Sequence, residues 1–360
     1  MRFTIIAAIA LLSIGAAPRS PSLHAPPRCA FNMPLDAAQC ARLHAASGGA
    51  GASRAPSANA STLLYTSDPF EAAVDIWTVK GKALKSSGRL ELGAGAFPLG
   101  LTVDSAQNLY VAVSSLGSGT PSVAVIARGA TKPSRVYTQG LTAPVDVAVD
   151  AHGTLYVANL ANPLGGGCAE GSGPGGSVIE YAQGSSKPAR TIDDFTGCPE
   201  GIAVDSSSNL YLTNIYYPAT GFLLSDVTKY AYKSTHGTAL GLQVPGGPDL
   251  GGIQIAGNGD LVVQNVQDDA TLNQVLTFPQ GSKTPSNTIQ YPGVGWGTGF
   301  KFFALSGKRF YAPAYIMENY GDVATRPAQF AYPSGRELLV QKTISSTEPF
   351  VYGMAVSPGK

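Results

Sequence analysis

One phrase recurs along this 360-residue chain, and it constrains the fold more than any other feature. It runs Pro or a small residue, Gly, an alternating apolar strand, Asp, a short turn and a second strand. The clearest copies are PLGLTVDSAQNLYVA at 98–112, PVDVAVDAHGTLYVAN at 144–159 and PEGIAVDSSSNLYLTN at 199–214. Weaker copies are GGIQIAGNGDLVVQN at 251–265 and TGFKFFALSGKRFYAP at 298–313, and a half-copy lies at 351–360. The Gly position falls at Gly100, Asp146, Gly201, Gly252, Gly299 and Gly353. That is an interval of about 50 residues, the range of propeller blades.

A second phrase alternates with the first: a strand with an aromatic end, a Gly/Ser turn with Lys-Pro, then another strand. VIEYAQGSSKPARTI at 178–192, VLTFPQGSKTPSNTI at 275–289 and VAVIARGATKPSRVY at 123–137 carry it best. Each unit therefore holds four strands. Apolar residues at every other place mark half-buried strands, and the Asp-Ser-Asn and Gly-Ser-Lys-Pro segments are turn chemistry. The chain ends on a lone first strand near 351–357, and the repeats begin with a lone second strand at 62–67. Together they complete one blade, so an all-β, six-bladed propeller of four-stranded antiparallel blades is expected. A ring closed by pairing the two end strands removes two free edges.

PEGIAVDSSSNLYLTN and VIEYAQGSSKPARTI resemble the NHL-type repeats of secreted bacterial propeller proteins. The resemblance covers about 60–360 and speaks to fold. Propellers of this kind include binding modules, lyases and lactonases, so it implies no single activity. In related lactonases a Glu, an Asn and an Asp hold one divalent ion in the channel. No motif here carries those ligands over residue by residue.

The remaining composition narrows the setting. Charged residues are 13% of the chain and the formal net charge is +1. No basic run stands out, so no nucleic-acid partner is expected. Residues 1–16 read as a signal peptide: Arg2, an apolar stretch from Phe3 to Ile14, and small residues for cleavage after Ala16. The apolar stretch is too short for a bilayer span, so no transmembrane segment is expected after cleavage. Residues 17–60 form a Pro-, Ala-, Ser- and Gly-rich lead, followed by the propeller at 61–360. Export fits the four cysteines, for which the pairs Cys29–Cys40 and Cys168–Cys198 are expected. The expected location is secreted or periplasmic, and the expected state is a monomer.

Strand order assigns the loops to two faces. The first–second and third–fourth turns share one, the turn face. The second–third loops and blade-to-blade crossings share the other, the loop face, at 113–122, 159–177, 214–226, 265–274 and 312–328. Variable loops on a rigid scaffold are the usual seat of function. Asp104, Asp150 and Asp205 repeat on the turn face, where an Asp binds backbone N–H groups two residues on. On the loop face, Asn159, Asn214 and Asn265 end the second strands, and Asp146, Glu200 and Asp249 lie at the starts of first strands. Turn-capping is the first explanation for the Asn series. As a ring of oxygens around the channel, these six would also suit Ca2+ or another divalent cation. Tyr216, Tyr217, Trp296 and Tyr352 add aromatics near that rim, with blade-to-blade packing as their other explanation.

No catalytic set is named by the sequence. The four His lie in the lead or in turn-face turns, away from any Ser–His–Asp or zinc arrangement. The leading functional expectation is a binding scaffold for a glycan, peptide or protein. The other is a metal-dependent lactonase or lyase working in the channel.

Overall fold

A computed structural model describes residue 53 and residues 62–115, 119–161, 167–169, 174–217, 224–245, 249–265, 272–292, 302–319, 322–340 and 351–357. The expected signal peptide, nearly all of the lead, the Cys29–Cys40 pair, Gly299 and Trp296 lie outside the described residues.

The described residues form six four-stranded antiparallel sheets. The closing blade holds β1 (Thr62–Asp68), β2 (Ala73–Lys80) and β3 (Ala83–Glu91). Blade one holds β4 (Ala96–Val103), β5 (Leu109–Ser115), β6 (Ser122–Ile126) and β7 (Arg135–Tyr137). Blade two holds β8 (Ala143–Val149), β9 (Leu155–Leu160), β10 (Gly176–Tyr181) and β11 (Arg190–Ile192). Blade three holds β12 (Cys198–Val204), β13 (Leu210–Tyr216), β14 (Leu224–Tyr230) and β15 (Gly237–Ala239). Blade four holds β16 (Leu250–Ile255), β17 (Leu261–Asn265), β18 (Leu272–Phe278) and β19 (Asn287–Pro292). Blade five holds β20 (Ala304–Ser306), β21 (Arg309–Asn319), β22 (Asp322–Ala331) and β23 (Glu337–Val340). Then β24 (Met354–Ser357) returns to the closing blade and pairs with β1, Leu63 opposite Ser357 and Thr66 opposite Met354. The ring is thus a six-bladed propeller, closed by strands from opposite ends of the repeat region.

Blade five departs from the expected pattern. The stretch 312–328, expected as a loop, is mostly the extended hairpin of β21 and β22. Pairing continues from Ala312 opposite Ala328 through Tyr315 opposite Thr325 to Met317 opposite Val323, past the place where other blades break off, in a stretch that includes the strand formers Tyr315, Ile316, Val323 and Thr325. Its first–second turn shortens to Gly307–Lys308, without the Asp that opens this turn in blades one to three.

Apolar faces of neighbouring blades build the core. Ala112 and Val123 of blade one pack with Val147, Val157 and Tyr181 of blade two. Val262 and Tyr291 of blade four pack with Phe310 and Phe330 of blade five. Each such side chain contributes roughly 1.5–3 kcal/mol when fully buried. Tyrosines at the ends of third strands clasp the crossings: the Tyr181 hydroxyl donates to Gln139 O, and the Tyr230 hydroxyl donates to Asp194 O at 2.8 Å.

The turn-face Asp series does what turn chemistry asks of it. Asp205 Oδ1 accepts from the Ser207 and Asn209 N–H groups, and Oδ2 accepts from Asn209 Nδ2 and the Tyr211 hydroxyl. Those bonds hold its carboxyl below the usual range, against the opposing effect of burial. Asp104 repeats the arrangement with Asn108 and Tyr110. The fourth residue of each such turn is left-handed: Gln107, Gly153, Ser208 and Gly259.

Candidate functional site

Each first strand runs closest to the ring axis, pairing with a second strand on one side only. Four of them carry a one-residue bulge at the repeated Gly position, between Pro98 and Leu101, Pro144 and Asp146, Pro199 and Ile202, and Leu250 and Ile253. A bulge turns the strand and changes which way side chains face on either side of it. Here it divides the axis into two halves.

At the bulges the strands come together. A Cβ on Gly201 would lie 2.5 Å from Gly251 O and 3.1 Å from Gly252 Cα. A Cβ on Gly353 would overlap Leu99 O, and one on Gly100 would overlap Asp146. Only glycine allows this approach. On the loop side of the belt, Leu99, Val145, Phe302 and Tyr352 are buried members of one apolar cluster that also takes in Phe70 and Phe97. Tyr352, expected near the rim as an aromatic, is 6% exposed and packs on Phe302 with ring centroids 5.6 Å apart. The loop side of the belt thus carries buried apolar side chains at the axis.

On the turn side it is open. A cavity of about 230 Å3 is lined by the turn-side halves of all six first strands, from Leu101–Val103 round to Met354–Val356. Among the described residues of its lining, Asp146 is the only ionisable side chain, and Thr102 and Gln254 are the other polar ones. Asp146 occupies the repeat position that is Gly in the other copies. It is 5% exposed, and its Oδ2 accepts from Ile202 N of the next blade at 3.0 Å. Burial pushes its carboxyl well above the usual carboxylate range; hydrogen bonds from the Ile202 and Val147 N–H groups oppose this, and the Glu200 charge adds to it. Gln254 makes a similar link, donating to Phe303 O at 2.6 Å and accepting from Leu305 N at 2.9 Å.

The other expected site residues are placed on the loop side. Asn159 Oδ1 accepts from Thr142 N and Ala143 N, and Asn265 Oδ1 accepts from Asp249 N at 2.9 Å. Both carbonyls are thus engaged in holding the start of their own blade. Asn214 is turned the other way: its Nδ2 donates to Thr196 O at 2.7 Å, and its buried Oδ1 has no hydrogen-bond partner among the described residues. Asp226 stands opposite Asn214 across the β13–β14 pair. Burial raises the Asp226 carboxyl, and bonds from the Thr228 hydroxyl and Asn214 pull it back. Glu200 and Tyr216 are half-buried on the same blade. Asp226 was missed in the sequence because it lies in the middle of a third strand, outside both repeated phrases.

Loops around blades two and three are laced together. Cys168 in the second–third loop of blade two is bonded to Cys198 at the start of β12, with Cα atoms 5.0 Å apart. Parallel bridges join Ala169 to Tyr217 and Pro174 to Gly197. Tyr217 N donates to Cys168 O at 2.8 Å, and Gly175 N donates to Gly197 O at 2.6 Å. Among the described residues no three His, Cys, Asp or Glu side chains converge as a metal-binding group.

No family model matches the chain, and no curated protein matches it. Its likeness is to solved structures. A functionally unknown protein from Desulfotomaculum acetoxidans is 14% identical with a TM-score of 0.52, over 83% of this chain and 99% of that one. Kuenenia stuttgartiensis hydrazine synthase is 14% identical with a TM-score of 0.46, over 79% of this chain and 80% of that one. A candidate gluconolactonase is also 14% identical with a TM-score of 0.45, over 74% of this chain and 90% of that one. At such identity, likeness speaks to fold alone.

Proposed function

We propose that this is an exported binding propeller whose loop face takes up a glycan or peptide at blade three. The observation that carries this is the buried Asn214 Oδ1, without a hydrogen-bond partner among the described residues, next to the Asp226 carboxyl to which the same amide is bonded. Two acceptors side by side ask for donors, which sugar hydroxyls and peptide N–H groups supply. Half-buried Tyr216 and Tyr217 lie at the same strand end, where a ring face suits the apolar side of a sugar or a peptide side chain. The Cys168–Cys198 bond and the two bridges support the reading, because a loop held in place before binding loses less freedom on binding. Export rests on that disulfide, which suits an oxidising compartment, and on the apolar N-terminal segment. No helix among the described residues is long and apolar enough to cross a membrane.

The test is a screen of the labelled protein against immobilised glycans and peptides, with Asn214→Ala and Asp226→Asn beside the wild type. Binding that falls at least tenfold in both variants supports the reading. Binding that is untouched by both, or absent from the whole screen, overturns it. A channel metal enzyme has less support, since the Asn159 and Asn265 carbonyls already hold backbone N–H groups. A melting-temperature rise with Ca2+, Mg2+, Mn2+ or Zn2+ would restore it.

A further inference from the structure

We infer that the turn-side axial cavity is a second binding site, distinct from the loop face, for a small molecule bearing a primary ammonium group. Its lining sets the chemistry. Asp146 is in its lining, and no Lys, Arg or His among the described residues lines it. An anion would meet a like charge there with nothing to offset it. A divalent metal ion asks for several hard oxygen side chains, and this cavity offers one carboxyl. A single ammonium matches a single carboxylate.

The walls fit the rest of that group. Each first strand presents its unpaired edge to the axis. Some of those edge groups are taken: Ile202 N by Asp146, Phe303 O and Leu305 N by Gln254. A strand edge presents a row of C=O groups, which suits an ammonium with its three N–H donors. Asp146 keeps acceptor capacity too, since an ionised carboxylate has about four lone-pair sites and the Ile202 and Val147 N–H groups use two. A volume of about 230 Å3 is room for roughly seven waters at ~30 Å3 each, so the guest is small. Behind the belt lies the buried apolar cluster of Leu99, Val145 and Tyr352, so the polar recognition sits on the turn side.

The glycine belt explains why a carboxyl is here at all. A Gly at 146 would continue the pattern of the other copies. Asp146 instead places a buried ionisable group at the belt, next to Gly100, which has no side chain to obstruct it. A structural bond to Ile202 N needs only a neutral acceptor such as Asn. An ionisable group suits a cationic guest.

Titration calorimetry with methylammonium and ethanolammonium chloride tests this, with trimethylammonium and sodium chloride at equal ionic strength as controls. The expected result is saturable binding of the primary amines, at least tenfold tighter than trimethylammonium, which offers one N–H in place of three. Affinity should rise with pH as Asp146 ionises, with proton release seen as a dependence of the heat on buffer. Asp146→Asn keeps an acceptor for Ile202 N and should lose binding at least tenfold. Thr102→Leu leaves Asp146 intact and adds bulk at a half-buried lining position, and it too should weaken binding at least tenfold. Circular dichroism establishes that each variant is folded. No saturable binding up to about 10 mM, or binding that survives Asp146→Asn in a folded protein, overturns the proposal. Loss of glycan or peptide binding in the loop-face variants leaves these titrations unaffected, so the two proposals fail separately.

Discussion

The hydroxyl of Thr213 donates to the carbonyl of Gly251 at 2.6 Å, tying blade three to blade four. The same oxygen accepts from Gly201 N at 2.7 Å. Ser67 repeats the device at the other side of the ring: it accepts from Gly353 N and donates to Leu99 O, both at 2.7 Å. In each case a second-strand hydroxyl satisfies the glycine of its own blade and the first strand of the next. Thr213→Val removes the hydroxyl from a fully buried position with little change of shape. It strands one buried donor and one acceptor, at about 1–3 kcal/mol each. Thr213→Ser should recover most of the loss. Urea denaturation measures both, and a Thr213→Val variant within about 0.5 kcal/mol of wild type would show the stitch to be idle.

The glycine belt makes a sharper demand. Gly353→Ala would drive a Cβ into Leu99 O, a backbone atom that cannot swing aside. A loss of about 3 kcal/mol or more is expected, since overpacking costs 1–3 kcal/mol even where side chains can adjust. Gly257→Ala is the matched control, because nothing lies within 4 Å of a Cβ there. Thermal melts of the two variants should separate clearly.

Asp146 predicts a dependence on pH. Its folded carboxyl titrates above the unfolded one, mainly through burial, so the folded state holds the proton more tightly. Below the unfolded value, near pH 4, both states are protonated and the group costs nothing. As pH rises from there through the folded value, ionisation of a buried carboxyl destabilises the ring. Asp146→Asn has no such loss. The variant should therefore equal the wild type in acid and exceed it in stability at neutral pH, without ligand. Denaturation at several pH values checks this, and parallel profiles would contradict it.

The Cys168–Cys198 bond spans 30 residues of sequence. The chain-entropy account gives about 3–4 kcal/mol for a loop of that length. The double Cys168→Ser, Cys198→Ser variant should lose that much by urea denaturation and weaken loop-face binding through loss of the fixed loop. Non-reducing peptide mapping must link the two cysteines in the wild type.

Deletion of 351–360 removes β24 and leaves the buried strand β1 with an open edge. It also takes away Ser357, which accepts from the Arg128 guanidinium of blade one at 2.6 Å. The expected outcome is an open, aggregation-prone ring, seen as a larger radius in small-angle scattering or as early elution. A compact monomer would show that the closing strand is dispensable.

Much of this was legible in the residues. The period, the four strands per unit and the split blade follow from local pattern: alternation sets strands, and Asp-Ser-Asn and Gly-Ser turns set their ends. Which loops share a face follows from strand order, and that made the Cys168–Cys198 pairing feasible to expect. The blade-five hairpin was less legible, because pairing of 312–328 depends on what the two segments find across from each other.

What the sequence determined by itself was therefore the ring: how many blades, how each is built and how it closes, since these rest on contacts between near neighbours repeated along the chain. What only the tertiary structure decided was the axis. A one-residue bulge at the repeat position of four blades changes the facing of side chains, and no local pattern reveals where those bulges meet. Their meeting buries Leu99, Val145 and Tyr352 on the loop side, leaves a cavity on the turn side and puts Asp146 in its lining. The same long-range packing turned Asn159 and Asn265 onto backbone and left Asn214 facing Asp226, a distinction that three matching residues at one repeat position could not display.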